Sequence, residues 1–119
     1  MTVVETMIRG VAVLAPLGAR LDAGGCVELR RRMDDLLSRG QTLVVCDLSR
    51  VEFMDSTGLA VLLSAVKFLA GKGRLACAGI TPQVRKLFSI VRLDQGLIAI
   101  HDTVEMAVAA LAGQEEDRP

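Results

Sequence analysis

From Thr42 onward the chain alternates short apolar runs with longer runs whose apolar residues recur every three or four positions. That alternation is the tightest constraint on the fold, because strand-like runs feeding helix-like runs build βαβ units with parallel strands. Thr42 to Leu48 and Arg74 to Ile80 lack polar alternation until their ends, as strands covered on both faces do. A helix is expected from Thr57 to about Ala70, closed by Gly71-Lys72-Gly73. Thr81-Pro82 supplies an N-cap and a first-turn proline for a helix to Val91. Leu97 to Ile100 reads as a last strand, and Asp102 with Glu105 reads as a capping box for a final helix.

Before this alternation, Thr2 to Ile8 and Val11 to Ala15 flank Gly10 and read as a hairpin. Cys26, Leu29, Met33, Leu36 and Leu37 then mark the buried stripe of an amphipathic helix from Gly25 to Ser38, with Gly40 placed as its C-terminal cap. The expected architecture is α/β: a mixed, mostly parallel sheet of about five strands packed with about four helices. Residues 1–113 form one domain in this reading, and Gln114 to Pro119 form a polar, flexible tail.

With 119 residues and 51% hydrophobic composition, the chain can close one core. Its 14 basic and 14 acidic side chains cancel, which points away from nucleic acid and from a polybasic membrane surface. Mean hydropathy is +0.43, yet the longest apolar run, Gly58 to Val66, stops at Lys67, short of the roughly 18 residues a span requires. Met1 to Glu5 lack the layout of a signal peptide, so a cytoplasmic location is expected. Cys26, Cys46 and Cys77 are spaced too widely for a zinc site and read as small core residues. No metal or other cofactor is expected, and His101 has no second imidazole with which to form one.

Asp55-Ser56-Thr57-Gly58 stands where a central strand turns into an apolar helix. Its local chemistry is that of a helix cap. Its position favours more, because the working surface of an open α/β sheet lies beyond the carboxyl ends of the strands. A phosphate on Ser56 would meet unpaired backbone N–H groups and the positive end of the helix dipole. Asp22, in the loop before the first helix, shares that end of the sheet if its strand neighbours Thr42 to Leu48; it would orient the serine, contact a kinase or cap the helix. Beyond Ser56, Leu59, Leu62, Leu63, Val66 and Leu69 make one apolar stripe, and Val61, Ala65 and Phe68 make a second. The second stripe suits a buried flank, a kinase, or another copy in a weak homodimer. Gly71-Lys72-Gly73 is no Walker loop, and Arg30-Arg31-Arg32 reads as a solvated helix face. An aspartate-phosphorylated receiver is disfavoured because the first strand ends in Ile8-Arg9-Gly10, without the acidic pair that would hold magnesium.

Gly18 to Asp22, Val45-Cys46-Asp47-Leu48-Ser49, Phe53-Met54-Asp55-Ser56-Thr57-Gly58-Leu59 and Arg85-Lys86-Leu87-Phe88 together resemble a STAS domain of the single-domain anti-sigma factor antagonist type. The resemblance implies a STAS fold and a non-enzymatic partner switch. Ser56 would be phosphorylated by an anti-sigma factor that is itself a serine kinase with a histidine-kinase-like ATPase fold. The unphosphorylated chain would sequester that kinase, and a PP2C-type phosphatase would reset the switch. Asp22, Asp55, Thr57 and Gly58 would surround the phosphosite, with Leu59, Val61, Ala65 and Phe68 on the partner face. One departure is that Val91-Arg92-Leu93 replaces the family's Gly-Leu pair after the third helix. The competing implication is a STAS subunit of a lipid-transport or membrane-transporter complex, with no phosphoswitch.

Overall fold

The computed structural model describes residues 1–116 of the chain. β1 (Val3–Ile8) and β2 (Val11–Pro16) form the expected antiparallel hairpin. Its two-residue loop places Arg9 and Gly10 at φ +52° and +80°. Positive φ at both positions matches the twist of the flanking strands, as in a type I′ turn. β4 (Leu43–Asp47), β6 (Arg74–Ala78) and β7 (Ala99–His101) then add in parallel, giving the sheet order β1-β2-β4-β6-β7.

Helices α1 (Cys26–Ser38), α2 (Ser56–Leu69) and α3 (Pro82–Ile90) contribute to the core on one face of this sheet. There Leu14, Val44, Cys46 and Cys77 meet Leu29, Leu62 and Phe88. Helix α4 (Val104–Glu116) covers the other face with Ala107, Val108, Leu111 and Ala112, packed on Val11, Val13, Val45, Ala76 and Ala78. Alanines on both sides of that contact let the helix lie close to the strands. Residues of β4 point alternately into the two cores, which is why its sequence is apolar throughout.

Two short strands escape sequence periodicity. β3 (Arg20–Leu21) and β5 (Phe53–Met54) pair in parallel, Arg20 with Phe53 and Leu21 with Met54. Toward the C-terminus three features differ from expectation by more than the fraying of an element's ends. The last strand is shifted to Ala99–His101, because the chain turns through Gly96 at φ +99° before it reaches the sheet. The final helix is capped by Thr103, whose Oγ1 accepts from Met106 N at 3.1 Å, rather than by an Asp102–Glu105 box. That helix also extends to Glu116, into the expected tail; residues 117–119 lie outside the described residues.

Helix α1 ends in a Schellman arrangement, with Gly40 N bonded to Leu37 O, Gln41 N to Leu36 O, and Gly40 at φ +86°. Helix α3 ends the same way: Arg92 N bonds Ser89 O and Leu93 N bonds Phe88 O. Here Arg92 takes the left-handed position at φ +62°. Arg92 thus occupies a backbone position that favours glycine. A non-glycine residue in this region costs about 1–2 kcal/mol, partly offset by the greater chain entropy a glycine loses on folding. Arg92→Gly is expected to raise stability by about 0.5–1 kcal/mol in denaturant melts; a loss of stability would show that the Arg92 side chain contributes more than its backbone costs.

On α1, Glu28 Oε2 accepts from Arg31 Nη2 at 2.7 Å and from Arg32 Nε at 2.9 Å. These two hydrogen bonds, Arg31 first, hold the Glu28 carboxyl down at about 2. Because its folded pKa is depressed, this contribution is complete above the ordinary 4.5 and is lost as pH falls toward 2. Carboxyl NMR is expected to give Glu28 a midpoint near 2; a midpoint near 4.5 would mean that the arginine contacts do not persist in solution.

Candidate functional site

The site is built where β3 and β5 strap two loops together at the carboxyl ends of the parallel strands. Glu52 N and Phe53 N both donate to Ala19 O, and Asp55 N donates to Leu21 O at 3.3 Å. The parallel register carries Asp22 and Asp55 into the next matched position. Both carboxylates act, after burial, to push the Cys26 thiol up, so both loops converge on the start of α1.

Asp55 has extended backbone geometry, and its Oδ1 accepts from Thr57 N at 2.9 Å. Asp55, not Ser56, is therefore the helix cap. Ser56 is the first residue of α2 and is exposed. Its hydroxyl is not consumed by capping, and it stands at the positive end of the helix dipole.

Asp22 closes the turn that leads into α1. Its Oδ1 accepts from Gly25 N at 2.9 Å, its Oδ2 accepts from Arg20 Nε at 3.3 Å, and its backbone O accepts from Cys26 N. The Gly25 N–H, and then Arg20, hold the carboxyl below the usual carboxylate range. Asp22 is thus anchored and ionised beside the Ser56 loop without itself being the residue before the helix, which is Gly25.

Two glycines make this close arrangement possible. A Cβ on Gly58 would lie 2.6 Å from Met54 Cγ and 2.9 Å from Leu21 O, so the first turn of α2 rests directly on the β3–β5 pair. A Cβ on Gly25 would overlap the carbonyl oxygen of Arg20. Thr57 is half-buried and, with Ala23, Cys26, Val27 and Arg30, lines a hollow of about 350 Å³ between the starts of α1 and α2.

The second stripe on α2 is divided by the packing. Val61 and Ala65, expected on a partner face, are 2% and 1% exposed because α1 lies against this side of α2; Leu59, expected on the same face, is buried on the other stripe of the helix. Val61 and Ala65 instead floor a groove of about 320 Å³ between α1 and α2, rimmed by Arg30, Asp34 and Phe68. Phe68 alone of the four is open, at 47% exposure, with the Lys72 ammonium 4.2 Å from its ring centre. Phe53 is a surface residue that sequence reasoning missed. The Arg20 guanidinium sits 4.1 Å over its exposed ring, on the strand that leads into Ser56. Only the pairing of β3 with β5 brings these two together.

Elsewhere, Cys26, Cys46 and Cys77 are buried free thiols, and burial pushes Cys46 up to about 12. Among the described residues no cluster of three or more His, Cys, Asp or Glu side chains could hold a metal, and no helix is long and apolar enough to cross a membrane.

Residues 7–101 match the family described as Mlab, STAS domain. The anti-sigma F factor antagonist of Paenibacillus polymyxa is 32% identical over 105 residues, covering 87% of this chain and 88% of that protein. The chain is a STAS domain of the anti-sigma factor antagonist family. This STAS domain superimposes on an anti-sigma factor antagonist from Mycobacterium paratuberculosis with a TM-score of 0.83, at 23% identity and 92% coverage of both chains. It is also similar to the Bacillus cell fate determinant SpoIIAA in its phosphorylated form, with a TM-score of 0.72, 25% identity, and 92% and 98% coverage. The family is non-enzymatic, and the five-stranded, mostly parallel sheet with four helices is the STAS fold.

Proposed function

We propose that this STAS domain is a cytoplasmic anti-sigma factor antagonist operated by a phosphate on Ser56. Unphosphorylated, it binds and sequesters an anti-sigma factor that is also a serine kinase of the histidine-kinase-like ATPase fold. Phosphorylation at Ser56 releases it, and a PP2C-type phosphatase restores it. The observation that carries this reading is the division of labour in the α2 entrance: Asp55 caps the helix and leaves the Ser56 hydroxyl exposed. A solved phosphorylated form of a relative at 25% identity supports it.

Asp22, Asp55, Thr57 and Gly58 form the environment of the phosphosite in this reading. Phe68 and the groove over Val61 and Ala65 extend the docking surface away from it, with Leu59 supporting the helix from within. The chain itself supplies position rather than catalysis.

Incubation with its kinase and MgATP tests the proposal. Acid-stable phosphate is expected on the tryptic peptide Val51–Lys67, localised to Ser56 by fragmentation and absent from Ser56→Ala. Phosphate on Thr57 or Ser64, or no phosphate with a demonstrably active kinase, would contradict it. A purely structural subunit of a transporter complex would remain unmodified and co-purify with an ABC-type ATPase.

A further inference from the structure

We propose that the free edge of β1 is a self-association surface, on which two copies of this chain pair their β1 strands antiparallel about a two-fold axis centred on Thr6. The α2 strip that suited a dimer by sequence is largely buried, whereas β1 lies at the end of the sheet order with no strand on its outer side among the described residues. Natural edge strands are blunted by charged side chains, lysine above all, by inward-pointing charges, and by proline, bulges or shortness. β1 has six residues, pairs without a bulge, and contains neither Lys nor Pro. Its one charge, Glu5, is held at 3.5 Å by Arg32 and 3.4 Å by Arg39. Met7 is 54% exposed, and Val4 and Ile8 also stand open.

Backbone direction limits how this edge can be used. Leu17 N donates to Thr2 O, so Thr2 faces β2, and by alternation Val4, Thr6 and Ile8 face it too. The N–H and C=O groups of Val3, Glu5 and Met7 therefore point outward. Side chains alternate with the same period between the sheet faces: Val4, Thr6 and Ile8 share a face with Val13 and Val11 of the α4-side core, and Glu5 and Met7 share the other with Leu14 and Ala12.

A two-fold axis normal to the sheet preserves its faces, so each residue must meet one from its own side. Centring the axis on Glu5 would oppose two Glu5 carboxylates, and like charges directly opposite are destabilising. Centring it on Thr6 sets Val4 against Ile8, Thr6 against Thr6 and Glu5 against Met7. Aliphatic and Thr–Thr cross-strand pairs are favourable, and Glu5 and Met7 are residues whose backbone groups point outward to bond. The strand is its own complement in this register, which assigns the edge to a second copy rather than to an unrelated strand. Val4 of the second copy would come beside Ile8, at the rim of a hollow of about 210 Å³ that Val104 and Val108 line together with Arg9 and Glu105. A strand of this length spans only about 20 Å, and one strand pair of that length buries less than the roughly 1,200 Å² at which standard stable interfaces begin, so association is weak and concentration-dependent. Ser56 is not on this edge, and both switches remain open.

Sedimentation equilibrium between about 10 µM and about 1 mM tests the pairing. The mass is expected to rise from 12.7 kDa toward twice that value. Thr6→Lys and Thr6→Glu, each placing like charges across the axis, are each expected to weaken association about fivefold or more, and mixing the two variants is expected to restore it. That restoration also shows that both variants are folded. A wild-type monomer throughout the range, dimers indifferent to both substitutions, or a monomer whose Thr6→Lys change weakens only kinase binding would overturn the assignment.

Discussion

Gly58→Val is expected to destabilise the protein by about 2–4 kcal/mol, lowering its Tm by about 10 °C. A Cβ at this position would sit 2.6 Å from Met54 Cγ, 2.9 Å from Leu21 O and 3.2 Å from Leu21 Cβ. Leu21 O accepts from Asp55 N in the contact that ties β3 to the start of α2, so it cannot swing aside without breaking that bond. The valine γ-carbons add bulk in a contact that has no room for the first carbon, and a β-branched side chain is stiff in a helix. The first turn of α2 must therefore lift away from β3, taking Ser56 away from Asp22. Kinase-catalysed phosphorylation should slow even at temperatures where the variant stays folded. Circular dichroism melts with an unchanged Tm would mean that the helix does not rest on the strand pair.

A charge at Ser56 is expected to remove most of the affinity for the kinase. Ser56→Ala should bind within about fivefold of wild type, because the hydroxyl is exposed and caps nothing. Ser56→Asp should bind about 10- to 100-fold more weakly, and the phosphorylated protein about two to three decades more weakly. The difference follows from charge: an aspartate adds one and a phosphoserine nearly two. Either is placed beside the Asp55 carboxylate in a loop strapped to that of Asp22, which Gly25 N–H and Arg20 already hold ionised. The helix dipole offsets only part of this repulsion. Trapping an uncompensated charge under a desolvated partner costs about 3–5 kcal/mol, and the loss should appear mainly in the dissociation rate. Equal affinity of Ser56→Ala and Ser56→Asp would show that the kinase docks elsewhere.

The long elements were legible because burial leaves a periodic trace. The hairpin, the four helices and the central strands all reflect side chains that must alternate or recur to face a core. β3 and β5 left no such trace, since Arg20-Leu21 and Phe53-Met54 are too short for any period to register. Their pairing is nonetheless what sets Asp22 beside Asp55 and places Arg20 over Phe53. Apolarity also marks burial without naming what covers it: Val61 and Ala65 are buried against α1 and reach the surface only as the floor of the groove between the two helices. Runs of capping residues are ambiguous for a related reason. Asp55-Ser56-Thr57 and Asp102-Thr103 each offer several suitable oxygens, and the backbone entering the helix selects Asp55 in one and Thr103 in the other.

Calorimetric titration of the kinase with one preparation of this STAS domain, before and after stoichiometric phosphorylation at Ser56, isolates the effect of the phosphate with no change of sequence. The dissociation constant is expected to rise by about two to three decades on phosphorylation and to return to its starting value after PP2C-type phosphatase treatment. A fully Ser56-phosphorylated protein that binds the kinase as tightly as the unmodified one would contradict the phosphoswitch.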